Sequence, residues 1–149
     1  MKISIEINDQ VKSGIKKSFF KSAVKNALEA SDFLDLGKKN ISLSIAIVSQ
    51  EEIKRLNKDY RKKNAVTDIL SFSEYVSTEE IGKEKLVDLF LGELVLCYDD
   101  IEEYAKKEKI PLEKELANVT IHGVLHLLGL DHGTKMFGLQ KEILDNFIK

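Results

Sequence analysis

All three histidines of the chain, His122, His126 and His132, fall within eleven consecutive positions of the run Ile121 to Thr134, IHGVLHLLGLDHGT. A lone histidine on an apolar helix is ordinarily a satisfied core residue; three clustered this tightly point to a metal. On a helix, residues four apart stack on one face, about 6 Å along the axis, so His122 and His126 can offer neutral imidazole nitrogens to one ion. Gly129 follows three positions later and suits the left-handed conformation that ends a helix. The chain can then turn back and bring His132 under the same ion. Three nitrogen ligands leave the fourth position of a zinc ion to water, whose pKa falls to about 7, and that arrangement marks a catalytic rather than a structural site.

Written as H-G-x-x-H-x-x-G-x-x-H, the run has the ligand spacing of the metzincin peptidases, with Gly123 where those enzymes carry a general-base glutamate. In a zinc peptidase that glutamate takes a proton from water and delivers it to the leaving amine. Losing a positioned base forfeits about 10²- to 10⁴-fold, which demotes peptide hydrolysis unless another carboxylate substitutes. Asp131 is the nearest in sequence, and reads equally well as a partner that orients a ligand histidine or as a turn-forming aspartate.

A second chemical feature lies upstream. Lys54, Arg55, Lys58, Arg61, Lys62 and Lys63 are set against the single acid Asp59, and both arginines of the chain are among them. The segment alone describes a solvated helix face followed by a basic turn. Arginine in a chain that otherwise uses lysine answers a need for planar, bidentate recognition of an oxyanion such as phosphate. A phosphodiester also needs a cation besides the metal to stabilise charge on its non-bridging oxygens.

Hydrophobic periodicity places these features on elements. Ile3, Ile5 and Ile7 alternate with polar residues, the period of a strand with one buried face. Val11, Ile15, Phe19, Phe20, Ala23, Val24, Ala27 and Leu28 then follow helical spacing, with an end expected near Asp35 to Lys39. Ile41 to Ile47 is a second strand, and Ser49 with Glu52 forms a capping box that opens a short helix through Tyr60. Thr67 to Ser73 and Leu91 to Cys97 are the third and fourth strands, and Tyr75 to Asp88 reads as a loop or partly ordered excursion. Tyr98 to Lys109 is an amphipathic helix with Ile101, Tyr104 and Ala105 inward. Pro111 can start the next helix at its first position. That helix carries His122 and His126 and is apolar around most of its circumference, so it should be buried and central. Met136 to Lys149 is the last helix, with Leu139, Ile143, Leu144 and Phe147 inward. The sum is an α+β fold, a four-stranded sheet with packed helices, whose strand order the patterns leave open.

At 149 residues the chain is expected to form a single domain, 1–149, burying about two-thirds of its unfolded surface. A formal charge of -2 excludes a general nucleic-acid-coating protein, so any RNA contact is local. Cys97 is the only cysteine, which rules out a disulfide within the chain and fits a reducing compartment. The N-terminus has neither a signal-peptide core nor a spanning segment, and a cytoplasmic location with no membrane partner is the expectation.

The run HGVLHLLGLDH resembles the signature H-G-x-L-H-L-x-G-x-D-H of the YbeY family, bacterial endoribonucleases of ribosomal RNA maturation. Asn57 to Arg61 (NKDYR), Thr67 to Phe72 (TDILSF) and Gly92 to Leu96 (GELVL) match in order, so the resemblance covers the chain from Ser49 onward. Leu130 stands where the family usually has an aromatic or histidine, Ser73 where it often has proline, and Glu93 where it often has aspartate. The resemblance implies a zincin-like fold and one zinc ion on His122, His126 and His132. It also implies single-strand-specific RNA cleavage in maturation of the 16S rRNA 3′ end and in ribosome quality control, with rRNA, ribosomes or pre-ribosomal particles as partners. The family's important arginine carries over to Arg61, as a phosphate or transition-state contact. Two rivals use the same residues: a metal-dependent hydrolase of another substrate, metalloprotease-like, and a non-enzymatic ribosome-assembly factor.

Overall fold

The computed structural model describes residues 1–147. Strand β1 (Lys2–Asp9) leads to helix α1 (Lys17–Ala30) and strand β2 (Asn40–Val48), followed by helix α2 (Gln50–Arg61) and strand β3 (Ile69–Ser73). Helix α3 (Thr78–Lys83), strand β4 (Asp88–Cys97) and helices α4 (Tyr98–Glu108), α5 (Leu112–Leu127) and α6 (Thr134–Phe147) complete the order. The sheet runs β1-β2-β4-β3, with β1, β2 and β4 parallel and the edge strand β3 antiparallel to β4. The expected α+β class and four-stranded sheet are what is found.

The larger core lies between one face of the sheet and helices α1, α5 and α6, and includes Phe20, Ile41, Ile45, Leu91, Leu94, Ile121 and Leu125. A smaller core on the opposite face packs Ile53 of α2 against Ala46, Leu70, Val95 and Cys97. Strand β4 contributes to both cores and carries a bulge. Its pairing slips between Ser42↔Phe90 and Ser44↔Glu93, and Gly92 sits at φ +135°. The extra residue moves the inward positions from Leu89 and Leu91 to Leu94 and Leu96, so both pairs reach the larger core despite the change of parity.

Several element bounds differ from those read from periodicity. Helix α1 starts only at Lys17, because the Asp9 carboxyl accepts from the backbone N–H groups of Val11, Ser13 and Gly14 and ties that stretch into a turn. It ends at Ala30, well before Gly37. The supposed loop after Tyr75 contains α3, capped by Ser77 Oγ accepting from Glu80 N–H at 3.2 Å. Pro111 is the N-cap of α5 rather than its first residue. Tyr104 of α4 is half exposed while Ile101 and Ala105 are buried. The last helix ends its described span at Phe147; the final residues of the expected segment, 148–149, lie outside the described residues. The Ser49 half of the expected capping box forms, with Ser49 Oγ accepting from Glu52 N–H at 3.2 Å, whereas the Glu52 carboxylate pairs with Arg55 instead of turning back to the Ser49 N–H.

Helix α5 is central and buried along most of its length. Two glycines permit its placement. A Cβ on Gly123 would lie 2.6 Å from Ile69 Cδ1 and 2.8 Å from Leu94 Cδ2, so with glycine α5 settles on β3 and β4 without displacing those two side chains. Gly129, at φ +91°, closes the helix: its N–H donates to His126 O at 2.9 Å and Leu130 N–H to Leu125 O at 3.1 Å. Those two bonds satisfy carbonyls that the helix end leaves open.

Candidate metal centre and cleft

His122 and His126 project from one face of α5, and the turn after Gly129 returns the chain so that His132 meets them. The three Nε2 atoms are 3.1 Å (His122 to His126), 2.9 Å (His126 to His132) and 3.3 Å (His122 to His132) apart. Zinc–nitrogen distances of about 2.0–2.1 Å in tetrahedral geometry place ligand nitrogens about 3.3–3.4 Å from one another. The triangle is therefore of the right size and chemistry for one ion, and these three histidines can hold a metal together.

Each of the two helical rings is held through its other nitrogen. His122 Nδ1 lies 2.9 Å from Gln140 Oε1 of α6, and His126 Nδ1 lies 3.1 Å from Leu130 O. The Leu130 carbonyl can only accept and Gln140 presents its Oε1, so each contact suits a ring that carries its proton on Nδ1 and turns an Nε2 lone pair toward the common point. Burial pushes the pKa of His126 below its ordinary 6.5, and repulsion from His122 and His132 adds to this; the Leu130 carbonyl and Asp131 oppose it. The result favours the neutral, ligating form.

The triad forms one wall of a cleft of about 480 Å³, whose other lining residues include Asn57, Arg61, Lys63, Asp68 and Ser71. Arg61, at the end of α2, donates from Nη2 to Ser71 O at 2.6 Å and lies over the Phe72 ring at 4.9 Å. Asn57 is buried and donates to Ala65 O at 2.9 Å, fixing the loop that carries Lys63 past the cleft into β3. The two arginines have different fates. Arg55 is paired with Glu52 and Asp59 on the outer face of α2, whereas Arg61 faces the cleft.

Gly123 and Asp131 also acquire new readings. A glutamate at position 123 would be driven into Ile69 and Leu94, so helix–sheet packing accounts for the glycine independently of substrate. Asp131 is exposed, and the carboxyl that lines the cleft is Asp68. Pattern reading also missed Gln140 and Phe137, both on α6. The Phe137 ring is 52% exposed and lies parallel to His132, with centroids 5.9 Å apart and planes 5° apart. Neither had a signal at fixed spacing from the histidines, since their proximity depends on how α6 docks.

Fold and site together define a class: an α+β domain in which a buried central helix and the turn after it converge three histidines able to hold one metal ion beside a cationic cleft. A family model described as "Endoribonuclease YbeY" matches residues 5–148. Relatives of that name include one from Bacillus pumilus, 34% identical with 99% of this chain and 96% of the relative covered. Another, from Buchnera aphidicola, is 39% identical with 79% of this chain and 73% of the relative covered. The solution structure of a Thermotoga maritima protein superimposes with a TM-score of 0.63 at 27% identity, covering 97% of this chain and 89% of that one. The chain belongs to the YbeY family of endoribonucleases.

Proposed function

We propose that the protein is a zinc-dependent, single-strand-specific endoribonuclease that acts in the cytoplasm on rRNA of ribosomes or pre-ribosomal particles, in 16S rRNA 3′-end maturation and ribosome quality control. The observation that carries the activity is the shared cleft, lined by three histidines whose Nε2 atoms converge and by Arg61 and Lys63. His122, His126 and His132 would hold the zinc ion, which would supply Lewis acidity and a water of lowered pKa when bound. Arg61 neutralises a non-bridging oxygen of the scissile phosphodiester, its plane set by the Phe72 ring and the Ser71 carbonyl. Lys63 attracts the flanking backbone. Exposed rings beside these residues, Phe137 next to His132 and Tyr60 packed edge-on against Phe72, offer faces to unstacked bases, which supports a single-stranded substrate.

The same geometry weighs against a peptide laid along the β3 edge, because Arg61 already occupies the outward carbonyl of Ser71. The deciding experiment replaces His126 by Ala and Arg61 by Glu separately and follows cleavage of single-stranded and duplex RNA with zinc present. Both folded variants should lose single-strand cleavage. Parental rates in both, or chelator-sensitive peptidase activity without RNA cleavage, would overturn the reading.

A further inference from the structure

We infer that Glu115, Asn118 and Gln140 form a polarised hydrogen-bond relay that sets the tautomer and ring orientation of His122, making Gln140 and Asn118 positioning residues for the metal centre. The inference rests on the metal reading of the triad. Its links are continuous. His122 Nδ1 meets Gln140 Oε1 at 2.9 Å, Gln140 Nε2 donates to Asn118 Oδ1 at 2.8 Å, and Asn118 Nδ2 donates to Glu115 Oε1 at 3.3 Å. Three of these residues lie along α5 and one on α6, so the relay also pins the two helices together at the site.

The direction of the relay follows from its far end. Glu115 is 7% exposed and sits in the first turn of α5, where the helix dipole favours a carboxylate. A carboxylate accepts and does not donate. Asn118 must therefore turn its NH₂ toward Glu115, which points its carbonyl oxygen at Gln140. Gln140 must answer with its own NH₂ and so presents Oε1 to His122. The imidazole is left one option, a proton on Nδ1 and a lone pair on Nε2, which is the form that ligates. Flipping either amide sets oxygen against oxygen, at the cost of a lost bond and a repulsion in a half-buried setting. His126 needs no such device, because the Leu130 carbonyl can only accept.

The test reads tautomer and metal affinity, not RNA cleavage, so it is separable from the nuclease reading. Histidine ¹⁵N–¹H correlation spectra of the metal-free protein should show His122 protonated on Nδ1 in the parent. Gln140→Leu should shift it toward the Nε2–H form that free imidazole side chains favour. Zinc affinity, measured by competition with a chelator, should weaken about 10- to 100-fold in Gln140→Leu. Glu115→Leu should weaken it in the parent background and add nothing in the Gln140→Leu background, while Glu115→Gln, which can still accept from Asn118, should stay near parental affinity. Asn118→Leu provides a second break should Glu115→Leu fail to fold. An unchanged His122 tautomer in Gln140→Leu, or equal losses from Glu115→Leu in both backgrounds, would overturn the relay. If zinc fails to bind the parent, the metal reading falls and the tautomer spectra still decide whether the relay exists.

Discussion

The Arg61 guanidinium donates to the Ser71 carbonyl at 2.6 Å, which joins the end of α2 to the outer edge of β3 and holds a cation in the cleft that the histidines also line. Arg61 is exposed, so its removal should affect catalysis far more than stability. Arg61→Ala is expected to lower kcat on single-stranded RNA about 10²-fold, in the range for loss of one oxyanion donor, with little change in Tm. Arg61→Lys should recover only part, since lysine keeps the charge but loses the planar fork and the Phe72 stack. Steady-state kinetics with a short labelled oligonucleotide measure both.

Metal loading should be visible without catalysis. Zinc at 100 times its dissociation constant is expected to stabilise the parent by about 2.7 kcal/mol. His132→Ala should abolish most of that gain while leaving the metal-free fold intact, because His132 is exposed and outside the core. Thermal melts with and without zinc, following extraction with a chelator, provide the measurement. No zinc-dependent shift in the parent would remove the metal centre.

Gly123→Ala should be destabilising although it replaces glycine by the best helix former. The added methyl meets Ile69 Cδ1 at 2.6 Å and Leu94 Cδ2 at 2.8 Å, and overpacking of this kind costs about 1–3 kcal/mol. Gly123→Glu should be worse, and should yield no peptidase. Denaturant titration gives the stabilities, and a gain on Gly123→Ala would refute the packing account.

Phe137→Ala is expected to weaken binding of single-stranded RNA by about 1–3 kcal/mol, the usual value of one base-stacking contact, with zinc affinity nearly unchanged. The chain has no tryptophan, so Phe137→Trp introduces a unique fluorophore. Its emission should be quenched by single-stranded oligonucleotide and much less by duplex.

Acid sensitivity should include a contribution from the turn after β1. Burial alone would raise the pKa of Asp9, but hydrogen bonds from Ser13, Gly14 and Val11 outweigh it and hold the value below the ordinary 3.8. A depressed folded-state pKa contributes stability that is fully present above the unfolded value and is lost as pH falls through the folded one. The Tm difference between the parent and Asp9→Asn should therefore be larger at pH 6 than at pH 2, which melts across that range will show.

Local chemistry was legible in the chain because it depends on neighbours in sequence. The i, i+4 pair His122 and His126, the stop at Gly129 and the cap at Ser49 each involve residues within a few positions of one another, and each forms in the expected way. Strand alternation in β1 was equally clear, since one buried face suffices to write it, and in β2 it survived because Ser42 and Ser44 separate the inward residues before the strand becomes buried on both faces at Ala46 and Val48.

The rest depended on how elements dock. Periodicity is blind to strand order and to the antiparallel direction of β3, and equally to the cleft that Arg61 and the triad share. Gly123 read as a missing base, whereas the closeness of α5 to Ile69 and Leu94 accounts for it by packing. Gln140 lies eighteen positions after His122, and nothing short-range marks it, because only the packing of α6 on α5 brings its amide to the ring. Residue types and spacing along the run from His122 to His132 thus determined which atoms could bind a metal. Tertiary packing decided which way those atoms face and what stands opposite them, because ring orientation and cleft walls arise from contacts between segments far apart in the chain.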